Sequence, residues 1–102
     1  MKRSILLVFI LVLLPLRVNA ADREAGKQLV ESRCSFCHGL DGKSTSPVIP
    51  NHRGQKALYF VKQLKAFKDG SRKDPIMSIQ AANLSEEDME NAAAYYSSLS
   101  CE

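Results

Sequence analysis

The sequence contains no tryptophan, four phenylalanines, three tyrosines and two histidines among 102 residues. Side chains that large are too few to fill the centre of a domain. A chain this short buries only about 60% of its unfolded surface, and such domains lean on a disulfide, a metal or a cofactor. A membrane-spanning run is also missing. The apolar stretch at 5–14 stops at Pro15 and Arg17, short of the roughly 20 residues that cross a bilayer. No period-two alternation marks strands, and no repeat, low-complexity tract or linker divides the chain. What remains is one small helical domain.

Positive charge is lacking too, once the first twenty residues are set apart. Lys2 and Arg3, the apolar run, and Val18-Asn19-Ala20 have the charged start, greasy middle and small-residue exit of a secretory signal peptide. Cleavage after Ala20 predicts a working protein of residues 21–102, exported to the periplasm. No cysteine stands at the cleavage point, so no lipid anchor is expected. Lys2, Arg3 and Arg17 account for the whole net charge of +3, leaving eleven basic and eleven acidic side chains. The pI of 8.9 therefore describes the precursor. Nucleic-acid binding through bulk basicity is excluded.

Three cysteines in an exported chain ordinarily suggest disulfides, but their spacing points elsewhere. Cys34-Ser35-Phe36-Cys37-His38 has the form C-x-x-C-H, the attachment signature of c-type haem. Two thiols three positions apart can each add across one haem vinyl group. The adjacent imidazole can then reach the iron. A redox disulfide between Cys34 and Cys37 would want a βαβ pattern around it, which is absent. Zinc would want a second ligand pair, and the rest of the expected mature chain offers only His52 and Cys101.

The helices expected around this site are three. Asp22 can cap a first helix running through Ala25, Leu29 and Val30 into Cys34. A second, at 56–68, places Ala57, Phe60, Val61, Leu64 and Phe67 on one face and ends at Asp69-Gly70. The last starts at Ser85, with Asp88 in a near capping box, and turns Met89, Ala92 and Leu99 inward. Residues 39–54, rich in Gly, Ser, Pro and Asn, read as an irregular loop, as does the segment containing Asp74-Pro75-Ile76-Met77.

With these residues in place the chain resembles a bacterial class I c-type cytochrome, of the short periplasmic single-haem kind and similar to the modules of dihaem cytochromes. The likeness spans 21–102. It includes Gly26, the haem motif with Gly39, Asp41-Gly42-Lys43-Ser44, Gly54-Gln55, Tyr59, Gln63-Leu64, Phe67, Gly70-Ser71-Arg72, Met77, Leu84-Ser85 and Ala93-Ala94-Tyr95. It implies an all-α fold wrapped around one covalently bound haem c. Cys34 and Cys37 would hold the haem and His38 would bind its iron. Pro47 would offer its carbonyl to the other imidazole nitrogen. Gly26 would let the first helix approach the last, against Tyr95 or Tyr96. Tyr59 and Arg72 would reach the haem propionates. His52 departs from the pattern, standing where these proteins usually carry leucine.

The opposite axial ligand is read as Met77 rather than Met89. Met89 begins the apolar stripe of the last helix, where core packing is its ordinary role. Met77 lies after Pro75 in a loop, at the family's position seven residues before Leu84-Ser85. His52, the remaining histidine, is the alternative, and would have to cross to the distal face. A histidine–methionine iron is fully coordinated and of raised potential, which suits electron transfer and leaves no open position for substrate. The expected function is therefore single-electron carriage, with no catalytic residues. Alternatives are the haem subunit of a sulfide- or alcohol-oxidising dehydrogenase, or a sensor or peroxidase-like protein in which the methionine is displaced. Partners would be a membrane oxidase, a reductase complex or a periplasmic dehydrogenase. The chain would be a monomer, unless the leftover thiol of Cys101 links two copies. Charge is segregated along the sequence: 53–73 holds seven basic residues and one acid, while 74–102 holds six acids and no base. Such an arrangement predicts a dipole that steers docking.

Overall fold

Asp22 accepts hydrogen bonds at one carboxylate oxygen from the backbone N–H groups of Glu24 and Ala25, at 3.0 and 3.1 Å. That cap starts α1, Arg23–Arg33, in a computed structural model that describes residues 1, 4–15 and 20–101. Lys2, Arg3, Arg17, Val18 and Asn19, on which the signal-peptide reading partly rests, lie outside the described residues. Residues 4–15 form no regular element, and their large apolar side chains are exposed.

Cys34 ends α1 and begins α2, Ser35–His38, a single turn that carries the haem motif. An irregular segment follows, and then α3, Ala57–Asp69. Gly70 ends α3 in the left-handed conformation, at φ 85°, which a side chain would resist. Next come α4, Met77–Ala82, and α5, Glu86–Ser97. Ser85 and Asp88 form a reciprocal capping box at the start of α5, both bonds at 3.0 Å. The described residues contain helices and no strand.

Two expectations change. The segment holding Met77 is a helix start and not a loop. Asp74 is the physical reason: one carboxylate oxygen accepts from the N–H groups of Ile76 and Met77 at 2.9 and 2.8 Å. It thereby supplies the cap that the short α4 needs. These bonds hold the Asp74 carboxyl below its usual range. The second change concerns Gly26. Its partner is the backbone of Asn91 and Ala92, not Tyr95 or Tyr96. A Cβ on Gly26 would sit 1.8 Å from the Asn91 carbonyl oxygen. The crossing is set one turn earlier because the Asn91 side-chain oxygen accepts the Asp22 N–H at 2.8 Å.

The helices pack α1 on α5 and α3 on both α5 and α4. Val30, Phe60, Leu64, Met89 and Tyr96 fill the space between them. Met89 is 1% exposed and is core, as its place in the stripe predicts. The basic and acidic blocks of the sequence meet on α3 and α5, where Lys65 and Glu86 pair at 2.6 Å. They are neighbours rather than poles. Replacing Gly26 with alanine should force α1 and α5 apart. Overpacking costs about 1–3 kcal/mol, against a gain of ~1 kcal/mol in helix propensity. Thermal melts of the haem-loaded protein should show a clear net loss, and an unchanged midpoint would refute the close crossing.

Candidate metal centre

His38 closes α2 and is buried, at 7% exposure. Its Nδ1 lies 2.9 Å from the carbonyl oxygen of Pro50. A carbonyl can only accept, so Nδ1 carries a proton, and in the uncharged ring Nε2 is then the nitrogen with the lone pair. The bond also holds the ring's orientation, as a partner behind a metal-binding imidazole does. Pro50 does this and not Pro47. The chain binds back to Gly42 at His52 and Arg53, and Pro50 stands just before that return. The Gly42 carbonyl accepts the N–H groups of His52 and Arg53, at 2.8 and 3.0 Å. Gly42 has φ 76°, and a Cβ there would meet the Arg53 backbone at 2.4 Å.

Two tyrosines of α5 hold the other side of this loop. The Tyr95 hydroxyl donates to the Leu40 carbonyl at 2.7 Å, and the Tyr96 hydroxyl to that of Gly39 at 2.9 Å. Burial pushes the Tyr96 hydroxyl well above its ordinary pKa, so it stays protonated as the donor. Sequence reasoning missed these anchors. The available signal was an aromatic doublet near the end of an otherwise alanine-rich helix.

Cys34 is half-buried, and burial raises its thiol pKa, partly countered by Arg33 and reinforced by Cys37. No βαβ unit among the described residues surrounds the pair, as a thioredoxin-like site would want, and two thiols beside a buried imidazole suit haem attachment. Among the described residues no cluster of His, Cys, Asp and Glu could hold a metal ion by itself.

His52 is half-buried against His38. Its ring centroid stands 4.2 Å from that of His38. Burial, and then the His38 ring, push its pKa down to about 4. At that separation the two imidazole rings pack directly on each other. Met77, partly buried, stands at the first residue of α4 and touches the core. Tyr59 is half-exposed on α3. Arg72 donates to the Gln63 side-chain oxygen at 2.8 Å and lies 4.6 Å over the Phe67 ring. These contacts occupy Arg72 on its own side of α3. Cys101 is exposed and covers Gly54, its sulfur 4.0 Å from the Gly54 carbonyl oxygen.

An all-helical chain whose first helix delivers C-x-x-C-H, with the histidine tied back to a proline carbonyl, defines a class I c-type cytochrome. The chain belongs to the cytochrome c family, whose family model matches residues 23–100. Its cofactor is covalently bound haem c, and Cys34 and Cys37 are the thiols placed for it. The chain is 43% identical over 82 residues to cytochrome c-554(548) of Halomonas halodenitrificans, covering 78% of this chain and 98% of that protein. It is 37% identical over 87 residues to the cytochrome subunit of sulfide dehydrogenase of Chlorobaculum tepidum, covering 78% of each. The crystal structure of reduced recombinant cytochrome c4 from Pseudomonas stutzeri superposes with a TM-score of 0.72 at 40% identity, over 79% of this chain and 47% of that one. The chain thus spans about half the length of cytochrome c4. Among the described residues no helix is long and apolar enough to cross a membrane.

Because the protein's own apolar groups are few, loss of both attachment thiols should remove the centre of the core. The double variant Cys34→Ser, Cys37→Ser should lack a cooperative thermal transition, and native-like melting without haem would contradict this. Tyr96→Phe leaves the Gly39 carbonyl without its donor. It should cost about 1–3 kcal/mol in denaturant unfolding of the haem-loaded protein.

Proposed function

We propose that the protein is a periplasmic electron carrier, exported by cleavage of residues 1–20, in which His38 and Met77 are the axial iron ligands of one haem c. The observation that carries this reading is the bond from His38 Nδ1 to Pro50, which reserves Nε2 for the metal. Haem supplies a reversible one-electron couple when bound. The protein's own residues orient the imidazole and shield it from water. Held by His38 and Met77, the iron would have no open position for a substrate and would favour the reduced form. The chain has no catalytic residues of its own in this reading.

Packing supports the choice of sulfur. Met89 is enclosed between helices, whereas Met77 sits at a helix start held by Asp74. Backbone fixed at that point gives the thioether a defined origin without requiring the core to open. Tyr59 remains a proposed propionate contact. Arg72 is proposed for the same role: one guanidinium nitrogen is given to Gln63, and its other N–H groups are those that would reach a propionate.

Redox proteins are the partners: a membrane oxidase, a reductase complex or a periplasmic dehydrogenase. A second reading, permanent attachment to a dehydrogenase, is favoured by the likeness to a sulfide dehydrogenase cytochrome subunit. Purification from the native cell separates the two, since a carrier elutes as an 82-residue monomer and a subunit co-purifies with a larger chain. Cys101 would join two copies only under oxidising conditions, and reducing gels decide that point.

Met77→Ala should abolish the weak near-infrared sulfur-to-iron absorption band and lower the reduction potential sharply. Met89→Ala should keep the band and cost about 2–5 kcal/mol of stability, the range for a buried methionine. A band that survives loss of Met77 and disappears with Met89 would reverse the assignment.

A further inference from the structure

We propose that His52 is a positioning residue, whose ring fixes the rotation of the His38 imidazole and so the orientation of the iron ligand. This rests on the reading of His38 as that ligand. The terminal torsion of a histidine side chain is soft, with broad and roughly two-fold preferences. A single hydrogen bond to Pro50 anchors one ring atom and leaves the plane free to pivot about it. The His52 ring closes off that pivot on one face, with centroids 4.2 Å apart and planes inclined by 36°.

His52 can do this because it is itself clamped. The Phe60 ring meets it edge-on at 5.2 Å and 88°, and the Tyr96 ring lies at 5.6 Å. Its own N–H donates to the Gly42 carbonyl at 2.8 Å, and its carbonyl accepts from the Gln55 N–H at 3.0 Å. Phe60 belongs to α3 and Tyr96 to α5. The two largest helices therefore set the ligand plane through one intervening ring. Leucine, the residue expected at this position from the resemblance, fills a comparable volume. It offers rotating methyl groups in place of a flat face, and the ligand plane would be held less firmly.

The test uses haem-loaded wild type, His52→Leu and His52→Phe. In the oxidised protein, the order and spread of the haem-methyl proton resonances report the orientation of the axial imidazole plane. In the reduced protein, solvent exchange of the His38 Nδ1 proton reports how well the bond to Pro50 is held. His52→Leu should reorder the methyl resonances and speed exchange severalfold. His52→Phe keeps a flat ring and should retain the wild-type order. A leucine variant with wild-type order and exchange overturns the proposal, as does a phenylalanine variant displaced as far as the leucine one. If wild type lacks hyperfine-shifted imidazole protons from His38, the ligand assignment itself fails. Shifted protons together with an unaffected leucine variant sink the positioning role alone.

Discussion

The hydrogen bond from His38 Nδ1 to the Pro50 carbonyl is the constraint on which the rest of the site depends. A histidine has two chemically similar nitrogens, and a metal site needs one of them assigned in advance. The carbonyl makes that assignment, because it can accept a proton-bearing nitrogen and nothing else. For the carbonyl to be there, the chain must leave α2, turn and come back beneath the ring. Gly42 makes the turn possible, and its carbonyl then binds the returning strand at two amides. A loop that looks irregular is therefore specified by backbone bonds at each end.

Helix α5 does two jobs in the same fold. One face closes against α1, where Gly26 meets the backbone of Asn91 without a side chain between them. Its last turns send two hydroxyls to consecutive carbonyls of the turn that follows the haem motif. Removing either job would leave the motif attached to α1 but unsupported on its far side. Covalent attachment alone would hold the cofactor; it would not fix the ligand geometry. The aromatic contacts of His52, Phe60 and Tyr96 extend that support from the loop to the imidazole.

Local chemistry was legible in the sequence where it decides structure by itself. Asp22 and Ser85 cap the helices they were expected to cap, Gly70 ends α3, and Met89 faces inward. The haem motif and its helical setting followed from five consecutive residues. The features that escaped depend on where distant segments meet. Helix α4 is disguised as loop in the sequence, because Pro75 precedes it and its cap, Asp74, looks like an ordinary turn residue. Pro50 and Pro47 are equivalent in sequence terms, and only the return of the chain past Gly42 separates them. Gly26 reads from sequence as a close approach, yet its partner is set by the Asp22–Asn91 bond, which spans sixty-nine residues of sequence. His52 stood out as a departure from pattern. Its contact with His38 could not be inferred across thirteen intervening residues rich in Gly, Ser, Pro and Asn.

Charge shows the same gap between sequence and space, with a consequence for docking. Blocks of opposite sign in the chain imply a long dipole only if they fold to opposite ends. Here α3 and α5 lie side by side, and Lys65 spends its charge on Glu86. Lys68 is turned to the Leu84 carbonyl, beyond the end of α4. An exposed pair of this kind adds little to stability, but it brings the opposite charges within contact and shortens the dipole. At physiological salt, fields fade over about 8 Å. Recognition of a redox partner would then depend on the charges left at the rim nearest the haem and on the apolar ground around it. A carrier that must bind, exchange one electron and leave is served by that weakness, since a strong, oriented attraction would slow its release.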